Sequence, residues 1–340
     1  MKKSFLLVLL GATMCCTAMA DKKPSKKPAA TTTKSQSAFT SGQEGLFGVL
    51  RRDADYFFDI PDSLLSRRFL ATVRFTSTPA GTGKYGGESV NQQTVYWEPA
   101  PGNVMLLRSD LMVNMGNPID AIDRAVKTSN NNPIIGTFKI EGHRNGHYLV
   151  KVTSFFNEDN PALGVGRDIK NKFGLQGYMP QASYIESIKT FPLNTEIRTV
   201  KTWMTSTTST IAGSNTGRVT LGLNVSFVLL PKDPMIPRLF DPRVGYFTDT
   251  YYVFADNQQR SETMRFITRW RLEPKDSTDM EKMKRGELVE PKKPIVYYID
   301  PATPKKWRPY LIQGVNDWQK AFEHAGFKNA IMAKEWPVDC

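Results

Sequence analysis

Cysteine and histidine are the scarcest reactive residues in this chain of 340 residues, with three of each. Cys15 and Cys16 lie in an N-terminal segment with the marks of a removable leader, so the mature chain keeps Cys340 alone and has no internal disulfide. Its stability must come from packing. Cys340 reads as an accident of where the sequence stops, not as a nucleophile. No long apolar run is present. The stretch opening at Phe5–Leu10 is too short to span a bilayer, so no transmembrane segment is expected. No G-x-S-x-G element occurs, which leaves a nucleophile elbow unsupported. Acidic residues (33) are outnumbered by basic ones (45), for a net charge of +12. No basic–aromatic recognition module accompanies that excess, so nucleic acid is not an expected partner.

What is present at the start is a secretory leader. Lys2 and Lys3 form its charged end, and Ala18-Met19-Ala20 supplies small residues at the positions a signal peptidase requires. Cleavage is expected after Ala20, making the protein exported to the periplasm, the outer surface or the medium. A lipoprotein reading competes, because Cys15 and Cys16 sit nearby, but Met14 is a poor fit to the small residue a lipobox demands.

The rest of the chain divides by pattern. Residues 21–43 are Lys, Pro, Thr, Ser and Ala with few apolar groups, which is linker composition. Residues 44–92 read as a small N-terminal domain, 93–273 as a β-rich domain, and 274–293 as a charged, Pro-flanked connector. Residues 294–340 read as the start of a further domain. The fold class expected is α+β, mainly antiparallel β in front, followed by an incomplete α/β strand–helix unit.

Antiparallel hairpins are predicted at 94–97 with 104–107, and at 138–141 with 148–152. Further pairs are 197–204 with 218–230, and 246–254 with 264–272. Val219, Leu221, Leu223, Val225, Phe227 and Leu229 alternate without a break, which predicts one buried face. Arg265, Arg269 and Arg271 are expected together on a solvated strand face. Ile295–Ile299 is apolar in succession, which predicts a strand covered on both faces. Thr303 and Pro304 then open one amphipathic helix bearing Leu311, Val315, Trp318, Phe322 and Ala325, stopped at Gly326.

His143 and His147 have the spacing H-x-x-x-H, which invites a zinc reading. Asn145-Gly146 between them is a hairpin signal instead, and a two-residue loop sets Arg144 opposite His147 and His143 opposite Tyr148. The two imidazoles then point to opposite faces. His324 falls in the last turn of the final helix, where a cation suits the helix dipole. No complete metal site follows, and no catalytic or metal-binding residue is assigned. Thr82-Gly83-Lys84-Tyr85 lacks the first glycine and the final Ser or Thr of a P-loop, and reads as a flexible loop. Gly164-Val165-Gly166 lacks the third glycine of a dinucleotide fingerprint. Asp53, Asp55, Asp59 and Asp62 cluster, without a second acidic group at a defined distance.

Five stretches carry a resemblance: YFFDIPDSLLSRRFL, SYIESIKTFPLNTEI, RLFDPRVGYFT, RWRLEPKD and PIVYYIDPATPKKWRPYLIQGVNDWQKAFEHAGFKNAI. In order across about residues 44–335, they resemble the large secreted zinc-dependent metalloproteases of Bacteroidetes-type and related bacteria. The resemblance implies two front domains of unknown function followed by a metzincin-like catalytic domain, of which residues 294–333 would be the first strand, first helix and start of the second strand. For the full-length family it implies zinc as cofactor, protein or peptide as substrate, and an H-E-x-x-H-x-x-G-x-x-H site at which zinc-activated water cleaves peptide bonds. None of those positions occurs here, so the chain as given is expected to be inactive. Its alternative reading is a stand-alone β-rich binding protein of the periplasm or surface. Lys151 stands where the family commonly shows an acidic residue. With no mature cysteine before Cys340, masking of a zinc ion by a propeptide thiolate is excluded.

The leader reading predicts a mature N-terminus at Asp21. Intact-mass measurement of exported protein checks this, and a retained Met1 would contradict it.

Overall fold

In the computed structural model the described residues are Phe39, residues 41–206 and residues 211–337. The leader with Ala18 and Ala20, most of the 21–43 linker, and Cys340 lie outside them. In chain order the front region forms β1 (Ser41–Gln43), β2 (Gly48–Arg52), β3 (Asp55–Pro61), β4 (Phe69–Ser77), β5 (Ser89–Ala100), β6 (Val104–Ser109) and β7 (Asn114–Gly116). Then follow α1 (Ile122–Ser129), β8 (Ile134–Arg144), β9 (His147–Lys151), α2 (Thr153–Asn157) and α3 (Arg167–Phe173). Next come β10 (Leu175–Tyr178), β11 (Tyr184–Thr190), β12 (Asn194–Thr205) and β13 (Arg218–Leu229).

Twelve of these strands form one sheet in the order β1-β2-β3-β9-β8-β6-β5-β4-β13-β12-β10, with β11 also on β12. Within it the pairs are antiparallel, as the sequence predicts, and the class is α+β with mainly antiparallel sheet. The predicted hairpins pair in the expected places: Trp97 opposite Leu107, Ile140 opposite Val150, Ile197 opposite Val225. β8 is the corner. Its first half pairs with β6 and its second half with β9, with a bulge between Ile140 and Gly142.

A sheet this long has one apolar face to bury and few helices to cover it, so it curls over its own interior. The first hairpin comes round to the last strands: the Leu46 amide donates to the Phe191 carbonyl at 2.7 Å, and the Thr190 amide to Gln43 Oε1 at 3.4 Å. Aromatic rings fill the space. Phe47 lies within 5.2–6.0 Å, centroid to centroid, of Phe58, Phe69, Trp97 and Phe227. The alternating run of β13 delivers Val219, Leu221, Leu223, Val225 and Phe227 to this core, all at most 3% exposed. Leu229 packs at its edge. Phe156 of α2, and Leu163 and Val165 of the loop after it, join the same core.

This core crosses the boundary expected at residue 92. That residue lies inside β5, and β4 needs β5 on one side and β13 on the other to complete its hydrogen bonds.

A second, three-stranded sheet carries β7, β14 (Thr248–Phe254) and β15 (Glu262–Ile267). The strand stops at Ile267, so the expected row of arginines is not a strand face. Arg265 stacks on Phe240, with 5.9 Å to the ring centroid, whereas Arg269 and Arg271 donate to the carbonyls of Ile236 (2.7 Å) and Asp233 (2.8 Å). Those bonds fasten the 233–240 segment beside the hairpin.

Residues 272–335 gather around a small core of their own. The segment expected as a connector holds α4 (Ser277–Lys284), capped by the Asp276 side chain, which accepts from the Asp279 amide at 2.9 Å. Leu272, Met283 and Phe322 pack on buried Val289, Phe327 and Ala330. Beyond it, β16 (Ile295–Ile299) and β17 (Ile331–Glu335) run parallel, joined through α5 (Arg308–Asn316) and α6 (Gln319–His324).

Two expectations change here. The helix is not continuous, because a turn at Asp317–Trp318 separates α5 from α6, and Pro309, not Pro304, occupies the first turn of α5. Nor is β16 covered on both faces. Ile295 is buried, but Tyr297 and Tyr298 remain 43% and 49% exposed, because two strands and one broken helix supply too little surface to enclose them. Gly326 does end the helical stretch, at φ 93°.

Truncating Phe47 to Ala removes the ring that four others pack on and should cost about 3–5 kcal/mol. A urea titration followed by tryptophan fluorescence measures this; a loss under 1 kcal/mol would contradict the packing described.

Candidate binding site

With the inner face full, the outer face of the curl is what remains for recognition. The β8–β9 hairpin organises it. Asn145 (φ 52°) and Gly146 (φ 76°) both take the left-handed conformation of a two-residue turn that twists with its strands. Arg144 therefore faces His147, and His143 faces Tyr148, in the register the sequence predicts. The two imidazoles lie on opposite sides, and each meets an aspartate of the 55–62 segment. His143 Nε2 is 3.0 Å from Asp62 Oδ1, with the ring stacked on Tyr148 at 4.0 Å; His147 Nδ1 is 3.1 Å from Asp59 Oδ2. Lys151 pairs with Asp55 at 2.7 Å. Asp55, Asp59 and Asp62 are thus partners for Lys151, His147 and His143 in turn.

Two clefts of about 540 and 560 Å³ adjoin on this surface. Glu141, at the bulge, lines both. One cleft is bounded by Lys139, Lys151, Phe155 and Glu158. The other has an apolar floor of Phe39, Leu50 and Leu149, with Arg52, Arg144 and the Asp59–His147 pair around it. Among the described residues no ion pair or hydrogen bond engages the guanidinium of Arg52 or Arg144. Arg52 lies over the rings of Phe57 (4.7 Å) and Phe39 (5.3 Å). Among its described lining residues the second cleft has no Ser, Thr or Cys beside the Asp59–His147 pair.

The sequence gives no sign of a buried charge that the structure reveals. Lys201, on β12, is 4% exposed and donates to the Glu158 carbonyl. Burial pushes its ammonium down to about 8, opposed by the nearby Asp159 carboxylate and reinforced by Lys170. Asp159 itself accepts from Lys170 at 2.6 Å and from Trp203 Nε1 at 3.2 Å through one oxygen. Tyr178 donates to the Asn157 carbonyl, and desolvation pushes its phenol up. These bonds hold the 157–160 loop against β12.

The other motifs resolve as local structure. Thr78 Oγ1 donates to the Lys84 carbonyl, and Glu88 takes both the Lys84 ammonium and the Tyr85 amide, so the Gly-rich loop is fastened by its own side chains. Val165 is fully buried, and Gly166 precedes the seven-residue α3. No group of three or more His, Cys, Asp or Glu that could hold a metal ion occurs among the described residues. The His143–Asp62 and His147–Asp59 pairs diverge across the hairpin, and His324 ends α6. Among the described residues the three histidines therefore do not converge on one point. Among the described residues no helix is long and apolar enough to cross a membrane.

The architecture defines a class: a curled, mainly antiparallel β protein with a small α/β unit appended. Residues 87–275, more than half of the chain, match the family described as Domain of unknown function (DUF5117), and the chain belongs to that family. Residues 26–78 match a second family, Domain of unknown function (DUF5118). No curated protein and no solved structure matches the chain.

The depressed Lys201 fixes the sign of one pH effect. A lysine that gives up its proton more easily folded than unfolded penalises the fold below about pH 8. The penalty fades as pH rises towards the unfolded value of about 10.4, and is worth on the order of 3 kcal/mol in full. Comparing unfolding of the wild type with Lys201→Met between pH 7 and 10 tests this. The wild type should gain on the variant as pH rises; a constant difference would contradict it.

Proposed function

We propose that this chain is the non-catalytic N-terminal portion of a secreted zinc-dependent metalloprotease, unable by itself to hydrolyse peptides. Residues 295–335 carry the reading from the structural side. They form a parallel strand–helix–strand unit that leaves Tyr297 and Tyr298 of β16, Tyr310 and Leu311 of α5, Trp318 in the turn before α6 and Trp336 just after β17 largely bare. Parallel strands belong in sheets covered on both faces, so such a unit suits the opening of a larger α/β domain. The resemblance of the preceding sequence to that protease family supports the same reading, as do an export leader and an arrangement of histidines suited to structure. Zinc and a protein or peptide substrate belong to the full-length enzyme.

A second reading, a stand-alone β-rich binding protein of the periplasm or cell surface, is favoured by the two clefts on the outer face of the curl. The arginines beyond β15 lend it less, since Arg269 and Arg271 are held by backbone carbonyls.

Reading the gene beyond codon 340 separates the two. The first requires an in-frame H-E-x-x-H within the following domain, and a continuation without it would contradict the proposal. The chain itself should carry no stoichiometric zinc by mass spectrometry and cleave no casein.

A further inference from the structure

We propose that the cleft over β2, β3, β9 and β8 binds the C-terminal end of a short apolar peptide, with Arg144 receiving its terminal carboxylate. This goes beyond the reading of the chain as part of a protease and does not depend on it.

Three observations converge. First, the charges in the cleft are unequally satisfied. Asp59 is matched by His147 at 3.1 Å and Glu141 by Lys139 at 3.3 Å, whereas Arg144 and Arg52 have no ion-pair partner among the described residues. A guanidinium presents a planar fork of donors that a carboxylate meets with two parallel bonds. An unmatched one at the rim of an apolar cleft is a carboxylate receptor. Second, the floor between the two arginines is Leu50, Leu149 and Phe39, which suits aliphatic side chains. Third, the cleft has open space beside Gly142. A Cβ on Gly142 would meet nothing within 4 Å, so the space above this residue is vacant and not filled by a neighbour.

Charge complementarity selects the ligand class. A polyanion such as an acidic glycan would meet Asp59 and Glu141 as well as the arginines, and those carboxylates would repel its repeated charges. A peptide end carries one negative group and several amide N–H donors. Its carboxylate suits Arg144, and its amides suit the acceptors beside it. Asp59 and Glu141 supply such acceptors.

The test uses the full chain and two probes in calorimetry, acetyl-Gly-Leu-Leu with a free carboxylate and the same peptide as its C-terminal amide. The free acid should bind at least tenfold more tightly than the amide. Arg144→Ala should erase that preference, and Gly142→Phe, which fills the vacant space, should abolish binding of both. Unchanged urea midpoints establish that the variants fold; Arg144 is exposed and decides the matter alone if Gly142→Phe does not fold. Equal affinity for acid and amide, no binding of either, acid binding unaltered in Arg144→Ala, or tighter binding of oligogalacturonate than of the free acid would each overturn the proposal.

Discussion

The structure depends on the packing of Phe47 against Phe58, Phe69, Trp97 and Phe227, which lets a twelve-stranded sheet use its own far end as cover. Phe47 enters from the turn between β1 and β2, beside the Leu46–Phe191 bond that joins the first hairpin to the last strands. Burying five large rings offsets much of the entropy of ordering such a long-range topology, and no disulfide assists among the described residues. One face of the central strands, β3, β4, β8, β9, β12 and β13 among them, is committed to this interior. On the outer face, the bulged Glu141 and Gly142 line a cleft.

Electrostatics on that face follow from register. Because His147 opposes Pro61 and Lys151 opposes Phe57, these two side chains of β9 reach Asp59 and Asp55 of β3 diagonally across the ladder. Asp55, Asp59 and Asp62 are each engaged by Lys151, His147 and His143 in turn. Such partly exposed pairs add little stability. Their effect is to fix where side chains point, while Arg52 and Arg144 have no ion-pair partner among the described residues. Lys201 behaves differently. Sunk behind the 157–160 loop, it costs stability at neutral pH while tying that loop to β12.

Much of the sheet was legible in the sequence, because period-two alternation in β13 and turn residues such as Asn145-Gly146 act locally. The orientation of His143 and His147 followed from the turn alone. What was not legible is long-range. Nothing local says that β4 sits between β5 and β13, so a boundary at residue 92 looked natural. Nothing local says that Phe47 closes the curl, or that Lys201 is buried, since a lysine inside an alternating strand reads as its solvent side. The run Ile295–Ile299 suggested a strand covered on both faces, but coverage is a property of neighbours, and Tyr297 and Tyr298 stay half bare. The clefts were illegible for the same reason: Arg52, Asp59, Arg144 and His147 come from four strands and converge only once the sheet has formed.

The central claim is that residues 46–229 fold as one body around one aromatic core. Native-state hydrogen exchange tests it most directly. The buried amides of β3 and β4 should open with the same free energy, and the same denaturant dependence, as those of β12 and β13. Separate opening of residues 48–77, at lower free energy than the rest, would contradict the account.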